Sequence, residues 1–186
     1  MPAIHEYLRI RICHRVTCYL SWGSASSNSP QNTISFCLGQ PEVGVGGRIN
    51  GGAGQVHLTN LAPDTNGTVD FTSIAGQEDA TGFDGAWTVT AYATCATTPV
   101  NFTPVSATSP ASSANKSATL SCPAGTRVHG AGGQLTPAAS GAVDRSLVID
   151  KVAIDTELRS VTVRAVEDET GTAASWSVKA LALCAP

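Results

Sequence analysis

One nine-residue pattern occurs twice and constrains everything else: Trp87-Thr-Val-Thr-Ala-Tyr-Ala-Thr-Cys95 returns 89 residues later as Trp176-Ser-Val-Lys-Ala-Leu-Ala-Leu-Cys184. Period-two spacing puts Trp, Val, Ala, Ala and Cys on one face of a strand. The other face carries Thr88, Thr90, Tyr92 and Thr94 in the first copy. One dry and one wet face are the mark of an antiparallel sheet packed on a single side. In the second copy the wet positions become Ser177, Lys179, Leu181 and Leu183, so these two leucines are expected to cover a neighbouring surface.

The agreement extends upstream in order. Cys37 falls on Cys122, Val45-Gly-Gly-Arg-Ile49 on Ala131-Gly-Gly-Gln-Leu135, and Val56, Leu58, Leu61 and Asp64 on Leu147, Ile149, Val152 and Asp155. Glu78-Asp79-x-Thr81-Gly82 then falls on Glu167-Asp168-x-Thr170-Gly171. Self-similarity of this kind reads as tandem duplication. The expected organisation is an irregular leader (1–15), a first β repeat (16–98) and a second (99–186). Within the leader, Tyr7 to Cys13 alternates as a strand would.

The fold class expected is all-β, two tandem antiparallel β modules. Sandwiches are favoured, with a β-prism or one merged sandwich as the alternatives. Only 13% charged and 5% aromatic residues beside 18 glycines suit short strands and tight turns better than long helices. In the second copy, strands are expected near 100–109, 117–121, 126–135, 147–154, 160–166 and 176–184. The paired glycines at 46–47 and 132–133 form a bulge or admit close backbone approach. The copies differ in one place: Cys37 to Gly46 is one residue shorter than Cys122 to Gly132. That difference would turn the following side chains over unless a bulge absorbs it.

Four of the six cysteines are placed by the repeat, and the simplest inference is one disulfide per module, Cys37 with Cys95 and Cys122 with Cys184. Each would close a loop of about 60 residues and contribute roughly 4 kcal/mol on the chain-entropy model. A zinc site fails on spacing, since no Cys-x-x-Cys or paired histidines bring two ligands together locally. Cys13 and Cys18 pair with each other or stay free. Disulfides imply an oxidising compartment, although Arg9, Arg11, His14 and Arg15 interrupt any export signal at the start. The expected location is secreted or cell-surface, with the chain either a fragment of a longer secreted protein or begun elsewhere.

A net charge of -3 provides no basic field for nucleic acid, and no apolar run reaches the roughly 18 residues of a membrane span. Of the histidines, His5 and His14 lie in the leader, while His57 and His129 have no counterpart in the other copy, which marks them as surface or turn residues. The recurring acidic pairs, Glu78 with Asp79 and Glu167 with Asp168, are the polar feature of interest. They form a ligand-facing or calcium loop, or else Asp and Thr bond the turn amides while Glu stays solvated. Calcium is the one cofactor they suggest, and adjacent carboxylates pointing to opposite faces of a strand argue against a shared ion. Trp87 and Trp176 are expected in the core beside the disulfides. Tyr92 and Trp22 are the candidates for exposed aromatics. Asn66, Asn101 and Asn115 begin glycosylation triplets of a kind common in Ser/Thr-rich chains.

On Cys122-Pro-Ala-Gly-Thr-Arg-Val, Gly130-Ala-Gly-Gly133, Glu167-Asp168-x-Thr-Gly and Trp176-x-Val-x-Ala-x-Ala-x-Cys184, both copies resemble repeats of uncharacterised secreted actinobacterial proteins. The first copy departs from the pattern just after Cys37. The resemblance implies an extracytoplasmic, disulfide-bonded β module and carries over no activity and no functional residues. The leading expectation is a non-catalytic binding or structural module whose partner is glycan or cell-wall polymer. A secreted hydrolase with its site at the interface between the repeats is the alternative.

Overall fold

The computed structural model describes residues 9–10, 18–23, 30–138 and 143–186, the first two segments as backbone only. Among the described residues there are thirteen strands. They are β1 (Arg9–Ile10), β2 (Cys18–Gly23), β3 (Gln31–Cys37), β4 (Glu42–Asn50), β5 (Val56–Thr65), β6 (Asp70–Glu78), β7 (Thr88–Cys95), β8 (Thr103–Thr108), β9 (Lys116–Ser121), β10 (Arg127–Pro137), β11 (Leu147–Ile154), β12 (Ser160–Glu167) and β13 (Trp176–Ala185). The fold is all-β. Of the leader, the described part is Arg9–Ile10, paired antiparallel with Leu20 and Ser21. Cys13 and the side chains of Cys18 and Trp22 lie outside the described residues.

Every pairing is antiparallel, and the strand order β2-β7-β4 over β3-β6-β5 recurs as β8-β13-β10 over β9-β12-β11. Each half is therefore a sandwich of two sheets of three strands, with β1 added at the β2 edge of the first. The halves are joined where β5 pairs β10, through Asn60 with Gln134 and Leu61 with Gly133. One continuous sheet, β3-β6-β5-β10-β13-β8, thus belongs to both. The tandem sandwiches are as expected; the sheet running through both halves was not foreseen.

Side-chain alternation builds the cores. Val89, Ala91, Ala93 and Cys95 of β7 are all buried, as are Val178, Ala180, Ala182 and Cys184 of β13. Trp87 and Trp176, each 1% exposed, head these rows as expected. In the first half they meet Ile74 with Ile49, Leu58 and Leu61. In the second they meet Leu120, Leu135, Leu147, Ile149, Val161 and Val163. Gly47 and Gly133 lie over equivalent core residues: a methyl on Gly47 would stand 2.3 Å from Ile74, and one on Gly133 2.6 Å from Val163. Close approach, and no bulge, is what these glycines serve.

The bulges come earlier in the same strands and are shared. The β4–β7 register slips at Val43 and the β10–β13 register at His129. A second pair of slips, at Thr59 in β5 and Asp150 in β11, is likewise matched. The one-residue difference between the copies therefore lies elsewhere, in the turn after the second strand. Glu42 pairs with Cys95, and Val128 pairs with Cys184 in the same register. A turn absorbs a residue without inverting the faces that follow, whereas a strand cannot.

The disulfides join Cys37 to Cys95 and Cys122 to Cys184, with Cα atoms 5.5 and 5.7 Å apart and sequence separations of 58 and 62. Each ties one sheet of a sandwich to the other. Replacing Cys122 and Cys184 together by serine is expected to cost about 2–5 kcal/mol in urea unfolding. Non-reducing peptide mapping checks the pairing itself, and a Cys95–Cys122 peptide would contradict it.

Candidate functional site

The acidic pairs have separate tasks. Asp79 caps its turn, accepting from the Thr81 amide (3.0 Å), the Thr81 hydroxyl (2.7 Å) and the Gly82 amide (2.9 Å). Asp168 accepts from the Thr170 and Gly171 amides at 2.8 and 3.2 Å. The Thr81 hydroxyl holds Asp79 below the usual carboxylate range. Glu78 is buried and Glu167 half-buried, which corrects the expectation that both stay solvated. The Trp87 indole N–H donates to Glu78 Oε1 at 2.9 Å and that of Trp176 to Glu167 Oε1 at 3.1 Å. A buried indole needs an acceptor, and a carboxylate nine residues upstream supplies it. Glu78 also takes Arg145 of the other half at 3.1 Å.

Both candidate loops are thus spoken for by the fold, and among the described residues no three His, Cys, Asp or Glu side chains gather to hold a metal ion. Tyr92 is half-buried, packed over Gly46, and does not stand free as an exposed aromatic. His57 is half-buried and His129 is exposed at its bulge.

The residue that sequence reasoning missed is Glu42, which is 2% exposed. Its register partner shows that it occupies the place of Val128 in the other half. Thr72, 0% exposed, pairs with Ser35, and by the Glu78–Glu167 offset it occupies the place of buried Val161. A polar pair therefore replaces an apolar one. The Thr72 hydroxyl lies in hydrogen-bond contact with Glu42 Oε1 and also reaches the Tyr92 carbonyl oxygen at 3.0 Å. One hydroxyl proton cannot serve both acceptors. Burial pushes the Glu42 carboxyl up to about 8, opposed by the Thr72 bond and reinforced by Asp70 and Asp64. Its second oxygen, Oε2, is buried without a partner.

Glu42 lines a cavity of about 230 Å³ between the halves. One wall comes from the first half, with Asp64 and Thr65 at the end of β5 and Asp70 at the start of β6. The other is the outer face of β8 and β13, with Phe102, Pro104, Leu181 and Leu183. The two leucines do cover a neighbouring surface, that of the first half. The result is a recess with one acidic and one apolar wall, small beside the roughly 300–1,000 Å³ of typical ligand pockets and suited to a single ring.

Two tests follow from Glu42. Because its carboxyl is raised from 4.5 to about 8, the folded chain keeps a proton that the unfolded chain releases between those values. Stability from this group is highest at low pH, falls as pH rises towards about 8 and is level beyond. At roughly 1.4 kcal/mol per pKa unit the loss is on the order of 5 kcal/mol, and Glu42→Gln should flatten the slope in urea unfolding across this range. Separately, the double variant Glu42→Val with Thr72→Val, which copies the second half, should unfold about 1–4 kcal/mol later than the wild type, since packed apolar residues commonly outdo buried polar pairs.

The chain matches no protein-family model, no curated protein and no solved structure.

Proposed function

We propose that the chain is a non-catalytic, extracytoplasmic binding module built from two tandem β repeats. It takes a glycan or cell-wall polymer in the cavity between them. The observation that carries this reading is the recess between the halves, where Glu42 and Asp70 share a lining with Phe102, Leu181 and Leu183. Equivalent places in the other half are filled by valine, so the carboxyl is not there for packing. A sugar ring has an apolar face to set against Phe102, Leu181 and Leu183, and hydroxyls to donate to Glu42 and Asp70. Two disulfides accord with an oxidising location.

One observation favours a second reading, a hydrolase. Glu42, raised to about 8, and the Asp70 carboxyl share the cavity, and an acid kept protonated beside a second carboxyl is the pairing that glycoside hydrolysis uses.

Affinity electrophoresis through gels loaded with soluble polysaccharides and cell-wall polymers decides between them. Retardation by at least one polymer is expected. Phe102→Ala should weaken it up to about tenfold, the loss of an aromatic contact worth roughly 1 kcal/mol. Release of reducing ends, abolished in Glu42→Gln, would establish the hydrolase instead. A folded protein retarded by no polymer would sink the binding reading.

A further inference from the structure

We propose that Cys18 is the attacking thiol of an internal disulfide exchange: it takes Cys95 from Cys37 and moves the bond of the first half from between its two sheets to within one of them. The inference does not depend on what the cavity binds.

It rests on strand register. Cys18 stands directly opposite Cys95 in the β2–β7 pairing, and residues opposed in this way belong to the same face of a sheet. Opposed residues in an antiparallel pair have Cα atoms about 4.5–5.5 Å apart, inside the range of about 4.4–6.8 Å that a disulfide spans. Cys95 is already bonded, to Cys37 of the facing sheet. Three cysteines therefore share one end of the first sandwich, two of them joined and the third at a register position from which a bond to Cys95 can form. Cys37 and Cys95 are 1% and 2% exposed, which keeps thiols in solution away from their bond. A thiol carried on the adjacent strand has no such barrier to cross. The second half is the internal control. There the position opposite Cys184 is held by Thr103, and the disulfide Cys122–Cys184 is otherwise placed in the same way. Threonine satisfies the fold at this position, so packing does not call for a cysteine.

The step balances within the chain. The Cys18 thiolate attacks Sγ of Cys95; the Cys95–Cys37 bond breaks as the Cys18–Cys95 bond forms; Cys37 leaves as a thiolate and takes up a proton in place of the one Cys18 gave to solvent. No oxidant or reductant is consumed. What changes is the staple. β3 is released from β7, and β2 is tied to β7 instead. The first sandwich loses the covalent link between its sheets, while the second, with Thr103, keeps its own.

The experiment is disulfide mapping over time. The purified chain is held folded at about pH 6 and at about pH 8.5, the ordinary thiol pKa, then quenched in acid, unfolded, labelled with a maleimide and digested without reduction. At the outset label is expected on Cys18 and not on Cys37. At the higher pH the label on Cys37 should rise at least about tenfold faster than at the lower, since the thiolate fraction grows roughly tenfold per pH unit below the pKa. A Cys18–Cys95 peptide should grow in step, with Cys122–Cys184 unchanged. Cys18→Ser should remove the exchange, and Cys13→Ser should not. Should Cys18→Ser fail to fold, Thr103→Cys keeps the test: it sets a cysteine opposite Cys184, and Cys122 should then become labelled in the same way. A Cys13–Cys18 disulfide in the freshly isolated chain overturns the proposal, because Cys18 then has no thiol with which to attack. An unlabelled Cys37 after prolonged incubation at the higher pH overturns it as well. So does Cys18 joined to Cys122 or Cys184 as often as to Cys95, since unfolded chains and not register would then set the pairing.

Discussion

Each sandwich is held by a single strand pinned at both ends. At its start a fully buried indole gives its N–H to a glutamate on the preceding strand; at its end a disulfide crosses to the opposite sheet. Between these two fixtures the strand contributes only Val, Ala and Ala to the core, residues too small to lock a register by shape. The indole–carboxylate bond supplies that lock. Its acceptor belongs to the same Glu-Asp step whose aspartate caps the intervening turn, so one dipeptide both shapes the crossing from one sheet to the other and seats the tryptophan. A neutral acceptor at the glutamate would weaken the bond, and an apolar residue would leave a buried N–H unpaired at about 1–3 kcal/mol.

Most of the fold was legible because period-two alternation and two copies checked one another. The final strand, its buried face and the cysteine pairing could be read from sequence; in the second half β11 matched to the residue and β12 and β13 ran one residue longer, while β8 began three residues later than expected and β10 ended two residues later. The role of the glutamate was within reach and was missed. Adjacent carboxylates on a strand point opposite ways, and that rule, used to argue against an ion, also sends one of the two inward to the tryptophan. Glu42 was hidden by the missing residue in the preceding turn. Only with the gap placed before the strand does a carboxylate fall on Val128. The β5–β10 joint left no trace, since it rests on backbone groups of two ordinary strands.

The comparison of the halves also separates what the fold requires from what it tolerates. Bulges, core glycines, indole–carboxylate bonds and disulfides recur, and they are architecture. Glu42 with Thr72 does not recur, and Val128 with Val161 shows the same scaffold closing without it. A buried carboxyl kept at a cost in stability, beside a recess, is where local rules are broken for a reason other than folding.

The joint between the halves has one further consequence. It pairs unlike edges, so among the described residues each half keeps the complementary edge unpaired: β4 in the first, β11 in the second. Such a head-to-tail contact has no built-in end and would run on into a filament. Counted from the shared bulges, the positions held at the joint by Asn60 and Gln134 are held on the free edges by Lys151 and Arg48. Another molecule docking in the same register would set lysine directly against arginine, a repulsive cross-strand pair. The neutral pair joins the two halves, and the cationic pair would oppose the same contact between two molecules.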